Sequence, residues 1–449
     1  MTQQLLAIGE KAVKTAERLG AEQAEVYLAS ARSFSVDVEN SAIKSASERR
    51  DAGCGIRSVI GKRVGFAYVT TLLEKDIEEA AKNSVGLAKA SVADPSFMSL
   101  PSSEERYPVV SGLYDRTIVS LQSEDAAELV IRAVDSAKAV LAGKKFAIEA
   151  QLSVSSGAKA IVSSQGISLS DQTTSATVYT YPTIKEEGEQ TASYEFQISR
   201  HLKDIDPEWV GRSSSENAIH CLGGKTVEGG VMPVILTPLA VTTVIGGGFA
   251  GAINAEEVQF GRSYVSDAIG SRIASEELHI VDDGILKGGV GSRVFDAEGV
   301  PSQRTEILNG GVLKSLLHNS YTANKDRIKN TGNASRPSYA GTPSIASSNF
   351  MITPGKGTLD DLVSELKVGI LCRNTGDRPN MTTGDLSAMV MEGFYIKDGE
   401  VKHPVKSTLV GINMRDLLQR IHRVGADTRA TGTMVTPSIV VESAQVTSG

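Results

Sequence analysis

Apolar residues recur every three or four positions over residues 3–19, which is the spacing of an amphipathic helix. Gly20 follows this segment at a position where glycine commonly ends a helix. Three further segments, residues 73–90, 123–141 and 207–221, are also predicted to be helical. Acidic residues open the first two of these, where the helix dipole favours negative charge.

Strand patterns lie between these helices. Apolar residues alternate with other residues over 26–28 and 34–38, which is typical of strands with one buried face. Residues 60–64 have the sequence of a hairpin turn, and residues 147–179 are rich in Val, Ile, Ser and Thr. We expect turns in this second region at Ser156-Gly157 and Gln165-Gly166. A helix followed by antiparallel strands thus occurs twice, which favours an α+β domain built from two similar halves.

Turn residues become dense after about residue 225, and helical patterns become sparse. Asp282-Asp283-Gly284 is one of several Gly-, Asn- and Asp-rich turns between short apolar runs, and only residues 358–366 and 414–424 are predicted to be helical there. The sequence therefore predicts an α+β fold with two domains. Residues 1–225 form an N-terminal α+β domain with antiparallel strands, and residues 226–449 form a β-rich C-terminal domain.

One uncharged run, residues 229–255, is long enough to span a bilayer. It contains two prolines and several glycines, which weaken or break a spanning helix. We expect a buried strand over residues 231–236, a turn at Thr237-Pro238 with proline at the first helical position, and then a buried helix. No membrane partner is expected.

Charge and cysteine content exclude several classes of function. The chain has 46 Lys and Arg against 53 Asp and Glu, a net charge of -7, and no long basic cluster, so no nucleic-acid partner is expected. Cys54, Cys221 and Cys372 lie far apart, which favours neither a disulfide framework nor a metal-binding pair. The N-terminal residues lack the pattern of a signal peptide, so a cytoplasmic location is expected.

Candidate catalytic groups are scattered. No two of the six histidines lie three to five residues apart, so no helix carries a histidine pair for zinc. A Cys-His nucleophile, either His220 with Cys221 or His318 with Cys372, stays open because partners meet in space. The glycines of residues 246–251 lack the Gly-Lys-Ser/Thr sequence of a phosphate-binding loop, and close helix packing explains them better.

Two carboxylate pairs, Asp282-Asp283 and Asp296 with Glu298, could serve acid–base chemistry or bind a hard cation. Each pair also precedes a glycine in a turn sequence, where side-chain oxygens cap backbone N–H groups. The turn role is favoured.

Ordered motifs across the second half resemble the TldD/PmbA family. They begin at Gly261-Arg262-Ser263 and continue in the same order through residues 280–284, 295–301, 311–314, 321–323, 331–334, 352–355, 383–387, 399–405 and 424–427. Any one of them alone is a weak signal, whereas the ordered set is specific. The residues singled out as candidates for a substrate groove are Arg262, Ser263, Asp282, Asp283, Asp296, Glu298, Thr331 and Asn333.

The resemblance implies a cytoplasmic peptidase system of two related subunits. In the TldD type, a His-Glu-x-x-x-His helix and a later cysteine hold zinc, and the glutamate activates water. This chain has Gly248 and Ile253 near the histidine positions, Phe249 near the glutamate position and Thr433 near the cysteine position. These four positions are vacant, because their residues are not the zinc ligands and base of the TldD type. The chain therefore resembles the metal-free PmbA, or TldE, subunit.

We therefore expect no catalytic residue, metal ligand or cofactor in this chain, with zinc held by a TldD-type partner in a heterodimer. Unfolded peptide would be the substrate, held by pairing with an edge strand, and the isolated chain could form a homodimer. Two alternatives stay open. One is a regulatory or binding protein of the gyrase-modulator type without a peptidase role, and the other is a hydrolase that uses Cys221 or Cys372.

Overall fold

The structure, a computed structural model, describes residues 2–449. The helices are α1 (Thr2–Arg18), α2 (Glu74–Ala90), α3 (Arg116–Ser120), α4 (Ser123–Val140), α5 (Pro207–His220), α6 (Pro238–Val241), α7 (Gly248–Ala252), α8 (Ala255–Gln259), α9 (Ser320–Asp326), α10 (Leu359–Ser364) and α11 (Met414–Gln419), with a 3₁₀ turn at Leu202–Asp204 and a π-helical segment at Thr242–Gly247.

The strands are β1 (Gln23–Glu39), β2 (Ala42–Ile60), β3 (Arg63–Val69), β4 (Lys145–Ser163), β5 (Ser168–Glu186), β6 (Glu189–Ala192), β7 (Glu195–Ser199), β8 (Gly230–Leu236), β9 (Ile280–Asp283), β10 (Arg304–Asn309), β11 (Val312–Leu313), β12 (Ala334–Ser335), β13 (Ser344–Ile345), β14 (Phe350–Ile352), β15 (Val368–Asn374), β16 (Asp385–Met389), β17 (Glu392–Lys397), β18 (Glu400–Pro404), β19 (Thr408–Asn413), β20 (Ile421–Thr431) and β21 (Met434–Ser448).

The first sheet is antiparallel and has seven strands in the order β3-β2-β1-β4-β5-β6, with β7 also pairing with β5. One face carries helices, because alternate residues of the long strands are apolar. Leu28 and Ile56 pack under α1 and α2, while Val36 and Leu152 pack under α4 and α5. Each helix pair therefore buries its own stretch of the sheet. The predicted α+β class with antiparallel strands is confirmed.

The second sheet has twelve strands and is mostly antiparallel. Its long strand β21 pairs with β8, β14, β19 and β20, and the largest apolar core lies against it. The mostly β character predicted for the second half is confirmed. The chain leaves the first sheet after β7 and enters the second at β8, and the boundary at residues 225 and 226 stays a prediction. No helix between residues 2 and 449 is both long and apolar enough to cross a membrane.

Two local predictions differ from the structure. Ser156-Gly157 is not a turn, because β4 runs straight through it and pairs there with both β1 and β5. Ladder hydrogen bonds on two sides outweigh the turn preference of the two residues. The helix predicted over residues 414–424 ends at Gln419, because Ile421 and Val424 instead pair with β21 and are buried in the core. The turn at Gln165-Gly166 is confirmed.

A buried ion network fastens the first sheet to loops of the second half. Glu25 of β1 accepts a hydrogen bond from Arg57 at 2.7 Å and also pairs with Arg336, and Arg57 reaches Glu298 at 3.1 Å. The Glu25 side chain is 1% exposed. Burial alone would raise the pKa of Glu25, but Arg336 and Arg57 outweigh burial and hold that pKa below its usual value.

A second network joins β7 to the C-terminal sheet. Glu195 accepts a hydrogen bond from Arg373 of β15 at 3.2 Å and pairs with Arg429 of β20. Arg373 also donates to Glu392 of β17 at 3.0 Å. The two sheets are thus held together by paired, largely desolvated charges, which are costly to separate one at a time.

Candidate functional site

Three of the four vacant positions, Gly248, Phe249 and Ile253, lie in or directly after the helical region that follows β8. It begins at Pro238, widens into the π-helical segment Thr242–Gly247 and continues as α7. Short π-helical segments inside helices are frequent at functional sites. Here the widened turn is followed by glycines that leave the helix surface bare.

Other parts of the chain lie directly on this bare surface. A Cβ atom added at Gly248 would lie 2.4 Å from Cγ of Pro379, and one at Gly251 would lie 2.6 Å from Cε of Met381. At Gly246 the nearest atom would be Sδ of Met434 at 3.1 Å. The loop that contains Pro379 therefore covers Gly248, which lies near the position of the family's first zinc-binding histidine. Any side chain at Gly248 would displace this loop.

Phe249 and Ile253 belong to the apolar core, whereas Thr433 lies between β20 and β21 and is partly exposed. Phe249 and Ile253 are both 0% exposed. The Phe249 ring meets the Phe350 ring edge-on, with 6.4 Å between centroids, and the N–H of Phe350 donates to the carbonyl oxygen of Thr433 at 2.9 Å. The structure thus brings these positions together around packed aromatic rings.

These residues do not fit a zinc ion. Zinc in proteins takes Cys, His, Asp or Glu ligands, and glycine, phenylalanine and isoleucine side chains provide none. Between residues 2 and 449, no group of three or more His, Cys, Asp or Glu residues is placed to hold a metal ion.

Three threonine hydroxyl groups hold the turn between β20 and β21 against the π-helical segment. Thr242 Oγ1 lies 2.8 Å from Thr431 Oγ1 and 3.0 Å from Thr436 Oγ1, and Thr436 donates to the carbonyl oxygen of Pro238 at 2.8 Å. Because Thr242 is 189 and 194 positions away from Thr431 and Thr436 in the chain, the sequence carries no local signal of this cluster.

Asp282 and Asp296 are buried and bonded within the chain. Asp282 accepts hydrogen bonds of 2.7 Å from the N–H and Oγ of Ser348 and from Nδ2 of Asn333. Asp296 accepts from the N–H groups of Glu298, at 2.8 Å, and Ala334, at 3.0 Å. Burial raises the pKa of Asp282, and burial together with Glu298 raises the pKa of Asp296 to about 6.

Most of the other candidate groove residues also bond to neighbouring loops. Glu298 accepts from the N–H of Ser320 at 2.8 Å, and Thr331 accepts from the N–H of His318 at 2.7 Å. Ser263 donates to the carbonyl oxygen of Ala252 at 2.6 Å. Their partners lie within the chain, where they hold loops to the sheet and to α7.

Of the eight candidates, Arg262 has a largely exposed side chain, whereas that of Asp283 is only 15% exposed and accepts a hydrogen bond from the N–H of Ile285 at 3.0 Å. The Arg262 side chain is 53% exposed, forms hydrogen bonds of 2.9 and 3.0 Å to Glu257 and lies over the Phe260 ring. Asp283 lies 3.8 Å from Arg304. A role for any of the eight candidates in a peptide groove stays a prediction.

The cysteines lack the surroundings of a nucleophile. Burial raises the pKa of Cys221 and Cys372 to about 12, so neither thiol ionises near neutral pH. The Cys372 thiol lies 3.7 Å from the carbonyl oxygen of Asn374, and His318 bonds to Thr322. Within residues 2–449, no hydrogen bond joins a cysteine to a histidine.

Three family models match most of the chain. They are the PmbA/TldA metallopeptidase domain 1 at residues 24–88, the central domain at residues 116–222 and the C-terminal domain at residues 229–448. The first two matches fall on the two halves of the first sheet, and the third covers the second sheet.

Curated relatives and solved structures agree with these matches. The chain is 24% identical to the metalloprotease PmbA of Escherichia coli O157:H7 over 97% of this chain and 95% of that protein. It is 28% identical to a metalloprotease TldD homologue of Buchnera aphidicola over 87% of this chain and 82% of that protein. TldE from Thermococcus kodakarensis has a similar fold, with a TM-score of 0.89, 22% identity and coverage of 98% and 100% of the two chains. The chain belongs to the PmbA/TldD metallopeptidase family.

Proposed function

We propose that this chain is the metal-free subunit of a two-chain PmbA/TldD-type peptidase, in which a TldD-type partner holds the zinc. The packing around Phe249 carries the proposal. A residue near the position of the family's catalytic glutamate is here a fully buried aromatic ring, and Pro379 covers the neighbouring Gly248. This chain binds unfolded peptide and presents it to the partner.

The chemistry of peptide hydrolysis explains why two chains are needed. Zinc hydrolases use the metal to lower the pKa of a bound water molecule and a nearby base to accept its proton. The equivalent positions here contain neither ligand nor base. The chain therefore contributes binding surface, while its partner contributes the reaction. Both act in the cytoplasm.

Reconstitution tests the proposal. This chain and a TldD-type chain from the same organism are purified separately, and each is assayed alone and mixed against an unfolded, fluorescently quenched peptide library. We expect the two chains to elute together from a sizing column and to cleave peptides only when mixed. Cleavage by this chain alone, or full cleavage by the partner alone, contradicts the proposal.

A matched control separates assembly from catalysis. A partner whose motif glutamate is replaced by glutamine should still bind this chain, but the mixture should cleave nothing. If the mixture retained its activity, the hydrolysis would have another source.

The regulatory alternative gives a different result in the same experiment. A gyrase-modulator protein without a peptidase role would bind a gyrase subunit and would not associate with the TldD-type chain. The net charge of -7 offers no support for direct contact with DNA.

A further inference from the structure

The outer edge of the first sheet forms a groove with α2. Strand β3 is the edge strand, and α2 crosses it at Gly65, where an added Cβ atom would lie 2.1 Å from the carbonyl oxygen of Ser84. This close approach brings the flank of α2 above the open edge of β3. The resulting groove has a volume of about 940 Å³ and lies open to solvent.

The edge strand has free backbone groups in this groove. β2 and β3 are joined by the two-residue turn Gly61-Lys62, so Ile60 and Arg63 form its closing hydrogen-bonded pair. In an antiparallel pair the direction of N–H and C=O groups alternates along the strand. The backbone N–H and C=O groups of Phe66 and Tyr68 therefore point away from β2. No element between residues 2 and 449 forms hydrogen bonds with these groups.

Apolar side chains line the groove and are unusually exposed. Tyr68 is 51% exposed, Leu87 50% and Leu19 37%, and the Phe66 and Tyr68 rings stack with 6.4 Å between centroids. At Gly86 nothing lies within 4 Å of an added Cβ atom, so space remains beside α2. The groove could thus take another strand with its side chains.

Two lysines give the groove a positive charge. Lys82 and Lys89 lie on the same face of α2, about 10.5 Å apart along the helix axis. Neither forms an ion pair with any acidic residue in the described part of the chain, and no Asp or Glu lines the groove. An occupant with negative charge opposite both lysines would be favoured.

We propose that the groove between β3 and α2 binds an extended peptide as an added strand, with acidic side chains at positions i and i+4 and an apolar side chain at i+2. Positions i and i+4 of a strand lie on the same face, about 13 Å apart, which flexible lysine side chains can match. The proposal deepens the proposed function and rests on it, since it names the acidic, extended peptides that the complex would favour.

Strand addition suits an unfolded substrate. Backbone hydrogen bonds supply affinity for any sequence, while a few side-chain contacts supply preference. Edge strands of the second sheet offer less, because β11 has two residues, β16 and β18 have five each, and the register of β20 against β21 shifts twice. The groove beside β3 combines a seven-residue edge with a helix wall.

Fluorescence anisotropy with the full chain alone tests the groove. The probe is a fluorescein-labelled peptide, Ser-Glu-Thr-Leu-Thr-Glu-Ser, and the control peptide has lysine in place of both glutamates. The double variant Lys82→Glu/Lys89→Glu should bind the probe about tenfold more weakly and prefer the control peptide, since each exposed charge contact changes affinity by a factor of up to about five. The variant Lys14→Glu/Lys145→Glu has the same net charge and should bind as the wild type does.

Hydrogen exchange supplies a second readout that does not depend on charge. The probe should slow exchange of the Phe66 and Tyr68 amides, because they gain hydrogen bonds. Equal affinity for both peptides, unchanged binding by Lys82→Glu/Lys89→Glu, or protection elsewhere would overturn the proposal. Any of these results would overturn peptide binding in the groove without bearing on the activity of the reconstituted pair. A failed reconstitution with normal probe binding would instead overturn the two-chain peptidase, and peptide binding in the groove would stand.

Discussion

Replacing Gly248 by alanine measures how tightly the position near the family's first zinc ligand is closed. The new Cβ atom would lie 2.4 and 2.8 Å from two carbon atoms of the Pro379 ring, where ordinary contacts are 3.4 to 4 Å. The ring is buried and rigid. Its loop is also anchored on both sides, by a 2.7 Å hydrogen bond from the N–H of Met389 to Asp377 and a 2.8 Å bond from the N–H of Asn380 to Asp385.

The magnitude follows from two opposing effects. Overpacking a core by one methyl group costs about 1 to 3 kcal/mol. Exchanging glycine for alanine inside a helix raises the free energy of unfolding by about 1 kcal/mol. Gly86→Ala in α2 is the matched control, because nothing lies within 4 Å of its added Cβ atom. The free energy of unfolding should therefore be about 1 to 3 kcal/mol lower for Gly248→Ala than for Gly86→Ala.

Urea unfolding followed by circular dichroism gives this difference from the two midpoints. The double variant Gly248→Ala/Pro379→Ala should recover part of the loss, since removing the ring makes room for the methyl group. If Gly248→Ala and Gly86→Ala were equally stable, the position would be open, and the argument that it is closed to a metal ligand would fail.

Two further changes test the buried charges and thiols. Glu25→Gln should lower the free energy of unfolding by about 3 to 5 kcal/mol at neutral pH, because it leaves Arg336 buried without its carboxylate and Arg57 with Glu298 alone. The pKa of Glu25 is lowered on folding. The difference in free energy of unfolding between wild type and variant should therefore be full above the unfolded pKa of about 4.5 and should shrink as pH falls through the lower folded pKa. A difference independent of pH would contradict the assignment. Cys221→Ser/Cys372→Ser should leave the cleavage rate of the reconstituted pair unchanged, and a large loss of rate would restore the cysteine hydrolase as a candidate.

Local pattern predicted the N-terminal helices well. The helix predicted over residues 123–141 spans Ser123–Val140, and the one predicted over 73–90 spans Glu74–Ala90, because apolar spacing and terminal acids act within a few turns. The turn predicted at Ser156-Gly157 is wrong for the opposite reason. Its conformation is set by β1 and β5, and pairing with distant strands has no local signature.

The candidate site likewise combines features that the sequence predicts with features that depend on distant contacts. The resemblance to the family locates the vacant positions, but no local pattern indicates that Pro379, over a hundred residues away, covers Gly248. The groove beside β3 was also not predicted, since it depends on α2 crossing Gly65 closely enough to overhang the edge. Contacts between distant segments decide both features.

The zinc content of each chain tests the central claim most directly. This chain and its TldD-type partner are expressed separately in zinc-supplemented medium, purified without chelators and measured by inductively coupled plasma mass spectrometry. The account predicts about one zinc ion per partner chain and only trace zinc in this one. Stoichiometric zinc in this chain, accompanied by peptide cleavage in the absence of the partner, would contradict it.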